Sequence, residues 1–220
     1  MDDTLLDFHK AEAIAIRKTL AQLGIEPDEA AISRYSAINT SLWKRLENGE
    51  LTREQVLVQR FEILFSELGV DADGNMAWQT YEQFLSDGHY FISGAPELLE
   101  TLHSKYNLYL ASNGTASVQD SRIESSGIAR YFKEIFISQR VGFDKPHRSF
   151  FEHCFKSIPA FSKGETIIIG DSLSSDIRGA NNAGIRACWF NPNKKPREED
   201  ILVHYEVTGL DQIPSLLEQI

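Results

Sequence analysis

Apolar positions along the chain fall into two textures. Over residues 8–88 they recur at a helical period. Ala13, Ile16, Leu20 and Leu23 are spaced by three and four, which places them on one helix face, and Gly24 supplies a stop. A second helical stretch, 28–46, carries Trp43 and closes at Asn48-Gly49. Thr52-Arg53-Glu54-Gln55 has the pattern of a capping box. It opens a third helix that aligns Leu57, Phe61, Leu64 and Leu68. A fourth, over 75–86, sets Trp78, Tyr81 and Phe84 three residues apart. No strand candidate interrupts this stretch, so an all-helical unit is predicted over 11–90.

After Gly94 short apolar runs alternate with helical segments. The runs 108–111, 135–137, 166–169, 187–190 and 204–207 read as buried strands. Helices are predicted between and after them. One starts near Pro96, which suits a first turn; others end at Gly127 and Gly184, and further ones cover 149–156 and 210–217. Continuously apolar strands alternating with helices predict an α/β fold with a Rossmann-like parallel sheet. Residues 1–10 and 91–220 then form the core, with 11–90 inserted as a helical domain. Ligands of such sheets bind beyond the carboxyl ends of the strands. Ser112-Asn113, Asp171 and the start of the chain are the polar groups expected there.

Charge narrows the range of partners. There are 22 Lys and Arg against 32 Asp and Glu, a net charge of −10. That balance excludes a protein held to a nucleic acid polymer or an anionic membrane by its general field. It leaves room for a small anionic substrate, because a few cations or a metal can dominate one cleft. Cys154 and Cys188 have no metal-ligand spacing, and so few cysteines suit a reducing compartment. No apolar run is long enough for a membrane span, and the acidic start is unlike a signal peptide. A cytoplasmic location is expected. The basic loop 193–197 reads as solvated.

Four sites carry candidate chemistry. Met1-Asp2-Asp3-Thr4, read alone, is an acidic N-terminus. At Ser112-Asn113-Gly114 a hydroxyl, an amide and main-chain N–H groups sit at a strand exit, where they either cradle an anion or simply end the strand. Pro146 restricts Lys145 to extended backbone, although an isolated lysine is ordinarily a surface residue. Gly170-Asp171-Ser172-Leu173-Ser174-Ser175-Asp176 places two carboxylates after a buried strand and before a helix. They offer oxygen ligands for Mg²⁺. Asp176 also suits a helix N-terminus, whereas Asp171, ending an apolar strand, needs a partner.

Taken in this order, the four sites resemble the motifs of the haloacid dehalogenase superfamily of phosphohydrolases, over essentially the whole chain. Asp2 and Thr4 match the second Asp and the Thr of the family's Asp-x-Asp-x-Thr motif. Ser112, Lys145 and the pair Asp171 and Asp176 match the later motifs. The helical stretch matches the family's helical cap. Trp43 in Thr40-Ser41-Leu42-Trp43, Asn48-Gly49-Glu50-Leu51-Thr52 and the long Gly170 motif are similar to the bacterial 5′-nucleotidase branch.

The resemblance implies a Mg²⁺-dependent phosphatase acting on a small phosphorylated substrate, a nucleoside 5′-monophosphate, through an aspartyl-phosphate. Asp2 would protonate the leaving alcohol and then deprotonate water. Mg²⁺ would be held by Asp2 through its carbonyl, by Asp171 and by Asp176. Ser112 and Asn113 would hold phosphoryl oxygens, Lys145 would neutralise their charge, and Trp43 would stack on the base or serve as a cap core residue. Thr4 would brace the loop, and Asp3 has no role beyond a solvated surface. The family's nucleophile falls two positions before Asp2, at the end of a central strand. Met1 is therefore expected to be an internal methionine of a longer polypeptide, and the 220 residues alone to lack phosphatase activity. Asp2, Asp171 and Asp176 together disfavour a dehalogenase or a mutase on the same fold. Two alternatives stay open: a sugar-phosphate phosphatase and an inactive phosphate-ligand-binding protein.

Overall fold

The computed structural model describes residues 1–220. Four helices come first: α1 (Phe8–Gln22), α2 (Glu29–Glu47), α3 (Arg53–Leu68) and α4 (Gly74–Ser86). Each begins where a side-chain oxygen takes up an orphan N–H: Asp7 accepts from Lys10, Asp28 from Ala31, Thr52 from Gln55 and Asp73 from Asn75. The capping box at Thr52 is complete, because Gln55 reaches back to the Thr52 N–H at 2.8 Å. Gly69 ends α3 at φ 66°, a left-handed turn that favours glycine. The apolar faces of the four helices meet in one cluster that includes Ile16, Leu20, Tyr35, Phe61, Leu64 and Tyr81. Val118, from the helix α6 (Ala116–Ser126), belongs to the same cluster, so the helical unit is seated on the rest of the chain through α4 and α6.

The strands follow: β1 (Tyr109–Ser112), β2 (Glu134–Ile137), β3 (Ile167–Gly170), β4 (Arg186–Phe190) and β5 (Tyr205–Val207). All pairings are parallel, as continuous apolar runs dictate. The strands form two parallel groups, a β1-β2 pair and a β3-β4-β5 triplet. Strand–helix alternation fixes direction and burial but not which strands are neighbours. β1 and β3 are joined by side chains, Lys145 being hydrogen-bonded both to Ala111 of β1 and to Asp176 just after β3. The N-terminal turn packs between the sheets: Met1, Leu5 and Leu6 share a cluster with Leu110 of β1 and with Cys188 and Phe190 of β4.

Helices α5 (Ala95–Leu102), α7 (Ser138–Val141), α8 (Arg148–Ser157), α9 (Arg178–Ala183) and α10 (Ile213–Leu217) complete the fold with α6. Phe150 and Phe151 of α8 bury Trp189 and Ala187 of β4 in a third cluster. Cys154 and Cys188 are separate buried thiols, each pushed up to about 12 by burial and so inert as nucleophiles. No helix is long and apolar enough to cross a membrane.

Candidate functional site

The polar residues gather where the strands end. β3 stops at Gly170, where a Cβ would overlap the Asp176 carboxylate, so only glycine allows that carboxylate to fold back over the strand end. Asp171 follows. Its main-chain carbonyl accepts from Trp189 Nε1 at 2.9 Å, and its Oδ1 accepts from Thr4 Oγ1 at 2.8 Å. A π-helical turn, Leu173–Ile177, then carries Asp176 back, and Ser172 N–H donates to Asp176 Oδ2 at 3.2 Å.

Lys145 is 5% exposed, so it is not a surface lysine. Its Nζ donates to Asp176 Oδ1 at 2.6 Å and to the Ala111 carbonyl at 3.1 Å. Asn113 fixes its backbone from both sides: Lys145 N–H donates to Asn113 Oδ1, and Asn113 Nδ2 donates to the Lys145 carbonyl, each at 2.9 Å. Ser112 is buried beside this clamp and accepts from Gln119 Nε2 at 2.6 Å. Gly114 leaves the space that Gln119 occupies, since a Cβ there would overlap the Gln119 side chain.

Asp2 faces the other way. Its Oδ2 accepts from Gln119 Nε2 at 2.6 Å, and its Oδ1 is ion-paired with Arg122, whose Nε donates to the Gly88 carbonyl at 2.6 Å. Asp2 is therefore joined to Ser112 through Gln119, and its carboxylate does not turn toward Asp171 and Asp176. Asp3 also departs from the solvated reading, accepting from the Phe8 N–H at 2.9 Å and the His9 N–H at 3.3 Å at the start of α1.

The electrostatics follow the packing. Burial raises the Asp171 carboxyl, and the like charges of Asp176 and Asp3 raise it further, to about 7 despite the Thr4 hydrogen bond. Burial alone would lower the Lys145 ammonium, yet the carboxylates around it, Asp176 first, hold it above its ordinary value. Burial alone would raise Asp2, and the Arg122 guanidinium outweighs it, leaving Asp2 below the usual carboxylate range.

These residues bear directly on metal binding. No three Asp, Glu, His or Cys side chains are grouped as metal ligands; the expected set, Asp171, Asp176 and the Asp2 main-chain carbonyl, calls for two carboxylates. The Asp2 carboxylate is engaged by Arg122 and Gln119, and that of Asp176 by Lys145 and Ser172. What remains is Asp171, desolvated, with one oxygen free of protein hydrogen bonds and a second carboxylate beside it. An all-oxygen pair of this kind fits a hard cation such as Mg²⁺, which takes one or two carboxylates and completes its shell with water and phosphate oxygens.

The helical unit contributes residues that the sequence pattern does not single out. Arg53, in the first turn of α3, donates to the Asn113 carbonyl at 2.9 Å and to Ser138 Oγ at 2.8 Å, and pairs with Asp144. Trp43 lies over this guanidinium at 5.3 Å, half-buried against the helical cluster, so its ring is partly engaged by Arg53. Glu47, at the end of α2, accepts from Ser174 Oγ at 2.7 Å, and burial raises its carboxyl. Arg53, Glu47, Gln119 and Arg122 are lone polar residues on helices. Only the capping box beside Arg53 gave any signal, and it concerned Thr52.

Two clefts border the triplet sheet. One, about 600 Å³, lies at the amino ends of β3, β4 and β5 beside Gly164, Arg186 and His204, away from the residues above. The other, about 460 Å³, opens on Asp171, Ser172 and Ser174 at the carboxyl ends. The second cleft lies on the side of the sheet where ligands of open parallel sheets generally bind, with Asp171 on its wall.

Comparison with known proteins identifies the family of the chain. The profile of the haloacid dehalogenase-like hydrolase family matches residues 1–190. The chain is 40% identical to the HAD-hydrolase YfnB of Bacillus subtilis, over 99% of this chain and 92% of that protein. A crystal structure of YfnB bound to magnesium, which reveals interdomain movement, superposes with a TM-score of 0.95 over 99% of this chain and 95% of that one. The pyrimidine 5′-nucleotidase PynA of Streptococcus pneumoniae is 36% identical over 100% of this chain and 93% of its own. The pyrimidine 5′-nucleotidase YjjG of Escherichia coli is 28% identical over 83% of this chain and 80% of its own.

Proposed function

Because the chain belongs to the haloacid dehalogenase-like hydrolase family, we propose that it is a phosphatase of small phosphomonoesters, nucleoside 5′-monophosphates foremost, working with Mg²⁺ at Asp171. The observation that carries this reading is Lys145, a buried ammonium held by Asn113 and Asp176 at the strand exits. A cation fixed at that depth, next to a desolvated carboxylate, serves to neutralise an anion entering the cleft. The nucleotide preference rests on the likeness to PynA over the full chain.

In this reading Lys145, Ser112 and Asn113 receive the phosphoryl oxygens, and stabilising their charge is the main source of rate in phosphoryl transfer. Asp171, with Asp176 beside it, would hold Mg²⁺, which would supply positive charge at those oxygens. The Arg122 ion pair keeps Asp2 ionised, the form that takes a proton from water. To protonate a leaving alcohol, Asp2 must leave Arg122 and carry a proton. Residues 11–90 act as the cap, anchored to the core by Arg53 and Glu47.

The family motif places the attacking carboxylate two positions ahead of Asp2. The test therefore compares the 220-residue chain with a version extended by an apolar strand ending in Asp at that position. The substrates are p-nitrophenyl phosphate and uridine 5′-monophosphate, with Mg²⁺. The extended chain is expected to turn over both and to lose about 10²–10³-fold in kcat on Lys145→Met. Equal rates with and without the extension would show that the motif is misplaced. A folded, extended chain that binds phosphate without turnover would point to a binding protein.

A further inference from the structure

Asn113 is not the only asparagine that grips a lysine backbone. At the end of β4, Asn191 is 2% exposed and does the same to Lys195. Lys195 N–H donates to Asn191 Oδ1 at 2.8 Å, and Asn191 Nδ2 donates to the Lys195 carbonyl at 3.0 Å. Nδ2 also donates to Glu206 on β5 at 2.8 Å, which locks the amide in place. Lys145 and Lys195 thus stand on equivalent mounts, each pinned by an asparagine that ends a parallel strand. The basic loop 193–197 is solvated, as the sequence suggests, but its backbone at Lys195 is not free.

Lys195 borders the cleft of about 460 Å³ that opens on Asp171, and Lys44 of α2 borders it from the helical unit. The other charges around that cleft have partners. Arg197 is ion-paired with Glu206 at 2.6 Å, and Glu198 with Arg178 at 3.4 Å. Asp171 belongs to the phosphoryl site. The ammonium groups of Lys44 and Lys195 enter no ion pair, in a chain whose net charge is −10. Two uncompensated cations, one positioned by a buried amide, form a local positive field beside the place where a phosphoryl group would sit.

We propose that this cleft is a second anion subsite, in which Lys195 and Lys44 bind an anionic group, such as a carboxylate, on the leaving group of the phosphomonoester. The proposal rests on the phosphatase reading above and adds to it the charge class of the substrate. A neutral leaving group leaves both ammoniums unused. An anionic one is drawn in by charge and oriented by the lysine whose backbone is fixed.

The test uses two substrate pairs whose members differ by a carboxylate. One is uridine against orotidine 5′-monophosphate, and the other is glycerol 3-phosphate against 3-phosphoglycerate. Binding is measured by calorimetry in EDTA, where turnover is blocked, and KM is measured with Mg²⁺ on the chain extended by the strand ending in Asp. The carboxylated member of each pair is expected to bind about fivefold tighter or more. That preference should fall toward unity in Lys195→Gln and Lys44→Gln and reverse in Lys195→Glu. It should shrink in about 0.5 M salt, where screening shortens the reach of exposed charges. Lys156→Gln, on the exposed face of α8, should leave it intact. Equal affinities within both pairs would overturn the proposal, as would a preference that survives both lysine changes. Rapid hydrolysis of uridine 5′-monophosphate with no carboxylate preference would sink the subsite and spare the nucleotidase reading. A preference confined to the glycerol pair would spare the subsite and sink the nucleotidase reading.

Discussion

Glu12 in the helical unit and Asp171 at the end of β3 are both carboxyls taken out of water, and burial raises both above their ordinary values. Their surroundings differ in balance and access. Both Glu12 oxygens are satisfied, by Ser36 Oγ at 2.6 Å and Asn39 Nδ2 at 2.7 Å. Asn39 in turn accepts from Arg60 at 3.1 Å, and Arg60 lies over the Tyr81 ring at 4.7 Å. One carboxylate and one guanidinium are linked through an amide inside a closed bundle. At the strand exits the Lys145 ammonium is hydrogen-bonded to Asp176, and Asp171 beside it keeps an oxygen without a protein donor. That group opens on a cleft. Buried charge by itself therefore marks no site. An unbalanced charge that faces a cleft does, because it needs something from outside to complete it.

The closed network should behave as structure. Arg60→Met leaves Asn39 and Glu12 without their cation and is expected to cost about 3–5 kcal/mol in urea unfolding. Adding Glu12→Gln should recover part of that loss, because the two positions couple through Asn39. Phosphate affinity of the folded Arg60→Met protein should match that of the unmodified chain. A weakened phosphate affinity at unchanged stability would erase the distinction between the two networks.

The open network should behave in the opposite sense. With its pKa raised to about 7, Asp171 binds a proton more tightly in the folded state than in the unfolded chain. Stability must then fall as pH rises from about 4 to 7, and the full penalty stands above that range. Asp171→Asn keeps an acceptor for Thr4 Oγ1 and carries no charge. It is expected to stabilise the protein by about 1–3 kcal/mol at pH 8 and by almost nothing near pH 4. Added Mg²⁺ should narrow the gap at pH 8, since a bound cation relieves the same repulsion in the unmodified protein. A destabilised Asp171→Asn at pH 8 would show that the carboxylate is already compensated within the chain.

Much of this architecture is legible in the sequence because it depends on local pattern. The five strands fall within a residue of the apolar runs, and the caps at Asp28, Thr52 and Gly127 end or begin the predicted helices. Lys145 and Asp176 stand out only through the order of their motifs, since by residue type alone Lys145 reads as a surface lysine and Asp176 as a helix-start residue, whereas Asp171 stands out as a carboxylate that ends an apolar strand. The order of strands within the triplet was not legible, because pairing order leaves no periodic trace. Nor were Gln119, Arg122, Glu47 and Arg53. Each is an ordinary polar residue on a helix, and each has a partner far away in the sequence. The clamp at Asn191 escaped for a subtler reason: the sequence shows a turn-forming Asn-Pro and a run of cations, but not the amide's grip on a backbone four residues later.

The weakest expected effect lies at the seam between the two regions. A cation in the first turn of a helix opposes the helix dipole, so Arg53 is poorly placed for α3 alone. Its position is explained by the Asn113 carbonyl, the Ser138 hydroxyl and the Asp144 carboxylate that it meets across the seam. The Arg53 side chain is 10% exposed and that of Asp144 is 24%, so the pair is wetter than the Glu12–Arg60 network and should be worth less. A double-mutant cycle of Arg53→Met and Asp144→Asn in urea unfolding should give a coupling energy of about 1 kcal/mol. Raising the salt should reduce it, whereas the Glu12–Arg60 coupling, shielded from solvent, should hold. A coupling across the seam as large and as salt-resistant as the one inside the bundle would mean that the helical unit and the sheets unfold as a single structure. In that case the cleft between them would not open by movement at Arg53.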